Sequence, residues 1–169
     1  MTFILLLGLI VGSFLSVVAL RIPKRESIVY PHSRCPQCKE RLVAKDLIPV
    51  ISYLLSRKMC RYCGRSISPF YCIVELATGI FFLWAYVHFG WSQELLLALL
   101  FASLLIVITA TDILYMIIPN VILLFYLLLF LLYRKVVLAE PMKDAYLGSA
   151  TGFLILFSVG VLFKKITGE

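Results

Sequence analysis

Four cysteines in the first half of the chain form two Cys-x-x-Cys pairs. Cys35 and Cys38 make the first pair, Cys60 and Cys63 make the second, and 21 residues separate the inner cysteines. Each pair can offer two thiolates from one turn to a tetrahedral Zn²⁺, although this interval lies just beyond the usual spacing of about 15–20 residues. Since four protein ligands leave no open position for a catalytic water, the pattern predicts a structural zinc site.

The same cysteines could also form disulfides or remain free thiols. Disulfides form in oxidising compartments, whereas the charge pattern described below favours the cytoplasm. A redox Cys-x-x-Cys is typical of a thioredoxin-like βαβ unit, which the surrounding sequence does not predict. Cys72 adjoins an apolar segment and is interpreted as a small apolar residue. His32 is interpreted as a solvated loop residue.

Two carboxylates lie within apolar segments, Asp112 and Glu75. Asp112 stands between uncharged runs of 17 and 21 residues, and an ionisable residue in a membrane bundle is a functional candidate by default. Because Pro119 disfavours helix at the residue before it, we expect Asp112 at a helix end, in a non-helical bend that faces a cavity. The alternative to a catalytic role for Asp112 is a solvated helix-end carboxylate. Glu75 is expected to pair with a basic side chain; it could instead line a site or influence the ionisation of Asp112.

The elements that position these residues are apolar. The chain has 169 residues, of which 62% are hydrophobic and 15% charged, and its mean hydropathy is +1.01. Ordinary soluble domains have about 45–50% apolar and about 25% charged residues, so an ordinary globular protein and a disordered chain are both excluded. Five apolar segments are long enough to span a membrane. They lie at about 2–20, 73–90, 95–111, 118–133 and 145–163.

The charge is concentrated in one segment. Residues 21–72 hold eleven Lys and Arg against three acidic residues, a net charge of +8, and the rest of the chain has −1. A basic loop between membrane spans is held on the cytoplasmic side, which favours a multi-pass plasma membrane protein over a nucleic-acid binder. This topology would place three basic residues on the outer side of the membrane, namely Arg134, Lys135 and Lys143. The eleven basic residues of segment 21–72 outweigh these three. The first segment lacks a basic start and is interpreted as a retained span, not a signal peptide.

Together these features predict an all-α polytopic membrane protein with about five transmembrane helices and a small cytoplasmic zinc-binding loop domain. The expected division is a first transmembrane helix (1–20), a tetracysteine domain (21–72) and a membrane core (73–169). Small residues at four-residue spacing predict close helix packing. They are Gly8, Gly12 and Ser16 on the first helix, and Gly148 and Gly152 on the fifth.

Several motifs resemble, in order, those of the type IV prepilin leader peptidases, the A24 membrane aspartic peptidases, and especially the competence-type enzymes. The similarity covers the whole chain. The motifs are Gly12-Ser13-Phe14-Leu15-Ser16, Arg21-Ile22-Pro23, the two cysteine pairs, Val74-Glu75-Leu76, and Thr111-Asp112-Ile113 followed by Pro119-Asn120.

The resemblance implies an endopeptidase that removes the leader from prepilins or pseudopilins at the cytoplasmic membrane face. Many such enzymes also methylate the new N-terminus with S-adenosylmethionine. The resemblance makes Asp112 one of two catalytic aspartates and makes Cys35, Cys38, Cys60 and Cys63 the zinc ligands. It implies prepilin or pseudopilin precursors and the lipid bilayer as partners, and a role in competence, type IV pili or protein secretion.

The second catalytic aspartate of this family lies in a Gly-x-Gly-Asp motif after the fifth helix, and this sequence ends at Glu169, where that motif would begin. Because an aspartic peptidase needs two carboxylates, the chain is expected to be truncated and inactive alone. The alternative is a non-catalytic scaffold or docking module of the pilin or competence machinery. A proton-conducting bundle is disfavoured, since the spans carry no chain of polar residues.

Overall fold

The computed structural model describes residues 1–35, 37–138 and 143–167; its regular elements are helices, and the other described residues form turns, irregular segments and isolated bridges. Five of its helices are long and apolar enough to cross a membrane, the fourth counted with its π-helical extension to Val137. The predicted fold class, an all-α polytopic membrane protein, is therefore confirmed. The helices are α1 (Thr2–Arg21), α2 (Ile51–Leu55), α3 (Phe70–Phe89), α4 (Gln93–Tyr115), α5 (Asn120–Tyr133) and α6 (Lys143–Thr167).

The chain divides into two compact units. The first comprises residues 1–133 and contains α1 to α5; the second begins at Arg134 and contains α6. The predicted sites all lie in the first unit. Gly148 and Gly152 lie on α6, which is described by itself, so their packing role stays a prediction.

The small residues of α1 let this helix pack closely against α3. A Cβ added to Gly8 would lie 2.7 Å from the Cα of Gly79, and one added to Gly12 would lie 2.8 Å from the Cα of Glu75. Ser16, one turn further, is 1% exposed. Close approach of backbones through small residues is how helices associate in lipid, so the packing face predicted for α1 is confirmed.

Filling this contact should separate α1 from α3. Gly12→Leu would place its Cβ within 2.8 Å of the α3 backbone and of the Thr78 hydroxyl, and such overpacking costs about 1–3 kcal/mol or more. We expect a fall of at least about 2 kcal/mol in the free energy of unfolding in mixed micelles. Ile10→Leu, at a position 60% exposed on the same helix, is the control, and an equal loss there would contradict the explanation.

The helix order brings both carboxylates and segment 21–72 to one end of the bundle. α3 and α4 form a hairpin around Gly90, so the start of α3 and the end of α4 lie together with the end of α1. The Tyr115 hydroxyl, in the last turn of α4, donates to the Leu20 carbonyl of α1 at 3.3 Å. This end of the bundle is where the candidate sites are found.

Candidate functional site

Each cysteine pair lies on a turn of the same design. Cys35 N–H donates to the Glu40 carbonyl (3.0 Å) and Lys39 N–H to the Cys35 carbonyl (3.0 Å). In the second turn, Cys60 N–H donates to the Arg65 carbonyl (2.8 Å) and Gly64 N–H to the Cys60 carbonyl (2.9 Å). Isolated antiparallel bridges, Arg34 with Arg41 and Met59 with Ser66, close the two turns. Both pairs therefore present their thiols in the same way.

The two turns bring the four thiols together. The sulfur atoms of Cys35, Cys38, Cys60 and Cys63 all lie within 4.8 Å of one another, and the Cys35 and Cys63 sulfurs are 3.9 Å apart. A tetrahedron with Zn–S bonds of about 2.3 Å has sulfur separations of about 3.8 Å. The cluster can therefore hold one zinc ion with little movement. Cys72 is buried in α3, outside the cluster, and His32 is exposed.

The thiols of the first turn differ in acidity. Burial raises the pKa of Cys35, but hydrogen bonds from the backbone N–H groups of Cys38 and Gln37 and from neighbouring thiols outweigh it and bring that pKa down to about 7. For Cys38, the backbone N–H of Glu40 lowers the pKa, but desolvation and the adjacent thiols outweigh it and raise that pKa to about 11. Several thiolates in one cluster repel each other, and a bound cation would relieve this repulsion.

Zinc affinity should therefore rise with pH. Zinc binds thiolates, so each thiol still protonated must release its proton on binding. Cys35, with a pKa of about 7, loses its proton readily near neutral pH, whereas Cys38, with a pKa of about 11, must release one at any physiological pH. We expect affinity in chelator competition to fall steadily from pH 8 to pH 6. An affinity independent of pH would show that thiolates are not the ligands.

The position after each second cysteine adopts a left-handed backbone conformation. Gly64 has φ +67° and suits this conformation, but the equivalent residue in the first turn is Lys39, with φ +61°. The left-handed region costs a residue with a side chain about 1–2 kcal/mol, whereas glycine enters it freely. Both turns thus adopt the same backbone conformation, but its free-energy cost is higher in the first turn, where the residue is Lys39.

Exchanging these side chains should change zinc affinity in opposite directions. Lys39→Gly is expected to tighten zinc binding by about fivefold, since part of the gain is offset by the greater freedom of glycine in the unfolded turn. Gly64→Ala, whose Cβ would meet nothing within 4 Å, should weaken binding by about tenfold through backbone strain alone. Lys39→Ala keeps the strain and serves as the control for the lost charge; a gain equal to that of Lys39→Gly would contradict the argument.

An acidic residue of segment 21–72, Asp46, supports the second turn. The Asp46 carboxylate accepts hydrogen bonds from the Tyr62 hydroxyl (3.2 Å) and the Val43 N–H (3.3 Å), and it lies 3.4 Å from the Arg61 guanidinium. Burial and the Asp46 carboxylate raise the pKa of Tyr62, which keeps its hydroxyl a donor. No periodic pattern marks Asp46, because its side-chain partners Arg61 and Tyr62 lie 15 and 16 residues away in an irregular segment.

Glu75 binds the loop through its backbone. Glu75 is 7% exposed, and its carboxylate accepts a hydrogen bond from the Val50 N–H at 2.7 Å. The expectation of a basic partner was wrong in the part of the chain that the structure describes. A backbone N–H satisfies a buried carboxylate without burying a second charged side chain.

Asp112 lies at the predicted end of the bundle but not in a bend. α4 continues through Tyr115, and Met116 ends it in the left-handed conformation, donating its N–H to the Asp112 carbonyl at 2.8 Å. The non-helical connection comprises residues 116–119, and α5 begins at Asn120, after Pro119. The side chain of Asp112 is exposed in the last turn of α4, so the expected cavity around it is also wrong.

The chain resembles known proteins over nearly its whole length. Residues 6–89 match the bacterial peptidase A24 N-terminal domain, and residues 99–168 match the type IV leader peptidase family. A prepilin leader peptidase/N-methyltransferase of Klebsiella pneumoniae is 33% identical over 174 residues, which cover 99% of this chain and 76% of that protein. The chain belongs to the prepilin leader peptidase family.

Other members of the prepilin leader peptidase family are more similar in sequence but longer. The protein of Bacillus subtilis is 39% identical over 96% of this chain, and that of Myxococcus xanthus is 41% identical over 90%. Both carry the name prepilin leader peptidase/N-methyltransferase. The chain spans 65% of the first and 45% of the second. No solved structure matches the chain.

Proposed function

We propose that this chain contributes the zinc domain and one catalytic carboxylate, Asp112, of a membrane aspartic endopeptidase that cleaves leader peptides from prepilins or pseudopilins. The observation that supports the proposal best is the position of Asp112 within a chain of this family. It is an exposed carboxylate in the last turn of a membrane-spanning helix, at the same end of the bundle as the cysteine cluster. A carboxylate at this level can meet a soluble leader just outside the bilayer.

The chemistry requires a second carboxylate. In an aspartic peptidase one ionised carboxylate takes a proton from the attacking water while its protonated partner donates to the scissile carbonyl oxygen. The water oxygen bonds to the carbonyl carbon, the C–N bond breaks, and the leaving amine takes a proton. In the part of the chain that the structure describes, the Asp46 carboxylate is held by Tyr62 and Arg61, and the Glu75 carboxylate is held by Val50. We therefore propose that the partner comes from a Gly-x-Gly-Asp segment, which this sequence does not contain.

The domain division 1–20, 21–72 and 73–169 is part of the proposal, with 21–72 in the cytoplasm. The net charge of +8 on this segment supports that side of the membrane. Cys35, Cys38, Cys60 and Cys63 are proposed as structural zinc ligands, on the strength of their tetrahedral spacing. Zinc supplies no step of the cleavage in this scheme.

The names of the relatives include an N-methyltransferase activity, and S-adenosylmethionine would be its methyl donor. A cleft of about 670 Å³ between α4 and α5 is lined by aliphatic and aromatic side chains and by Asn120. It offers no charged group for the amino-acid and sulfonium charges of this cofactor. The described residues therefore do not fit the cofactor there, and no methylation step is assigned to them.

The proposal is tested by supplying the second carboxylate. Residues 1–169 are extended with a family C-terminal segment that carries the Gly-x-Gly-Asp motif, and the product is reconstituted with a prepilin of the same source. We expect cleavage after the leader, measured by mass spectrometry of the pilin. The same extension with its motif aspartate changed to asparagine is the control. An extended chain that inserts and binds zinc but leaves the prepilin intact would contradict the proposal. If such a chain also bound the prepilin stably, the alternative of a non-catalytic scaffold would be favoured.

A further inference from the structure

α2 is a short amphipathic helix whose apolar face has no partner within the described structure. Ser52 of the helix and Ser56, the residue that follows it, line a cleft of about 40 Å³ against the second cysteine turn. Ile51, Leu54 and Leu55 lie at i, i+3 and i+4 on another face. Their exposed fractions are 52%, 62% and 72%. Exposure of three large aliphatic side chains to water is unfavourable, and an exposed apolar patch of this kind marks an interaction surface. The question is therefore what covers this face of α2.

The attachment of α2 places this face at the membrane surface. The residue before the helix, Val50, donates its N–H to Glu75 at 2.7 Å, and Glu75 is the sixth residue of the membrane-spanning helix α3. At about 1.5 Å per residue, Glu75 lies about 7–8 Å along α3 from its first residue. Amphipathic elements that rest on a bilayer bury their apolar face to about 5–10 Å. α2 therefore begins at the depth where such elements lie.

The residues after α2 are basic and exposed. Arg57 and Lys58 follow the helix directly, and both adopt left-handed backbone conformations, with φ values of 52° and 63°. They lie in a segment with a net charge of +8, which α1 and α3 tether to the bilayer at both ends. Such a cationic surface attracts anionic headgroups and repels a basic peptide.

We propose that α2 docks the cysteine domain on an anionic lipid surface, with Ile51, Leu54 and Leu55 entering the interface and Arg57 and Lys58 contacting headgroup phosphates. The depth set by Glu75 and the charge of the flank favour lipid over a second copy of the chain or a protein partner. The proposal depends on the membrane-spanning helices and not on the peptidase activity, so either can fail without the other.

The depth of α2 can be measured with a single tryptophan. Leu55→Trp is made in a full chain whose Trp84 and Trp91 are phenylalanine, and nanodiscs with one chain each are assembled with brominated lipids. We expect emission to fall roughly twofold in discs that contain phosphatidylglycerol. Adding Arg57→Gln and Lys58→Gln should weaken docking by about 30-fold, at about tenfold per 1.4 kcal/mol and about 1 kcal/mol for each basic residue. Unquenched emission would overturn the proposal, as would equal quenching in neutral and anionic discs.

A second measurement needs no substitution. Arg57 and Lys58 are exposed trypsin sites, and docking should shield them. We expect cleavage after these residues to be at least about fivefold slower in anionic than in neutral nanodiscs, with zinc content confirming that the domain is folded. Equal rates would overturn the proposal. If these sites are protected only in discs that hold two chains, the apolar face of α2 binds a second copy of the chain, and the proposal that it binds lipid is wrong.

Discussion

Replacing Cys60 with serine is expected to abolish zinc binding and to unfold the segment between α1 and α3. Cys60 is 5% exposed and lies in the four-thiol cluster, and a serine hydroxyl is not a thiolate. The metal matters more here than in a larger domain, because the buried apolar residues described within 21–71 are the two cysteines Cys35 and Cys60. Structural zinc contributes about 10–16 kcal/mol to folding in small zinc domains, and this segment has no alternative core among its described residues.

The measurement is zinc content of the purified chain, with limited proteolysis of segment 21–72 as the readout of folding. We expect about one zinc per chain in the unsubstituted protein and almost none in Cys60→Ser, with rapid cleavage throughout the segment. Cys72→Ser is the matched control, since Cys72 is a buried thiol in α3 outside the cluster. Zinc retained by Cys60→Ser, or lost by Cys72→Ser, would contradict the assignment of the ligands.

The features predicted from sequence are those that depend on local pattern. An apolar run of about 20 residues forms a helix wherever lipid surrounds it, and two Cys-x-x-Cys turns meet because one ion can hold them both. The contact of Gly8 and Gly12 with α3 also follows from spacing along one helix face. Each of these features shows a regular spacing within a few turns of chain, although the cysteine and glycine contacts themselves join residues far apart in sequence, so the sequence contains enough information to find them.

The features that sequence reasoning missed depend on contacts between distant residues. The bond from Val50 to Glu75 joins a loop to a helix 25 residues away, and no spacing rule indicates it. The end of α4 was placed too early because Pro119 constrains only the residue before it, whereas Met116 ends the helix with φ 53°. A methionine in this conformation carries no sequence signal, since glycine or asparagine is the usual choice.

The position of Asp112 is unfavourable for the stability of α4. It lies in the last turn of the helix, where the unpaired carbonyls carry partial negative charge and a carboxylate costs about 0.3–1 kcal/mol. The side chain of Asp112 is exposed. At the end of the helix it is the backbone carbonyl of Asp112, not the carboxylate, that accepts the Met116 N–H. The carboxylate is therefore dispensable for folding, which separates a catalytic role from a structural one.

Asp112→Asn in the chain extended with the Gly-x-Gly-Asp segment should eliminate prepilin cleavage while leaving stability unchanged or slightly higher. Asparagine keeps the shape but can neither take a proton from water nor share one with a second carboxylate, and loss of general acid–base catalysis costs at least about 10²–10⁴-fold in rate. Glu94→Gln, in the first turn of the same helix at the opposite end of the bundle, should cleave normally. The readouts are the single-turnover cleavage rate and the free energy of unfolding. Cleavage at the unsubstituted rate in Asp112→Asn would remove Asp112 from the mechanism, and a loss of cleavage that follows a loss of stability would make its role structural.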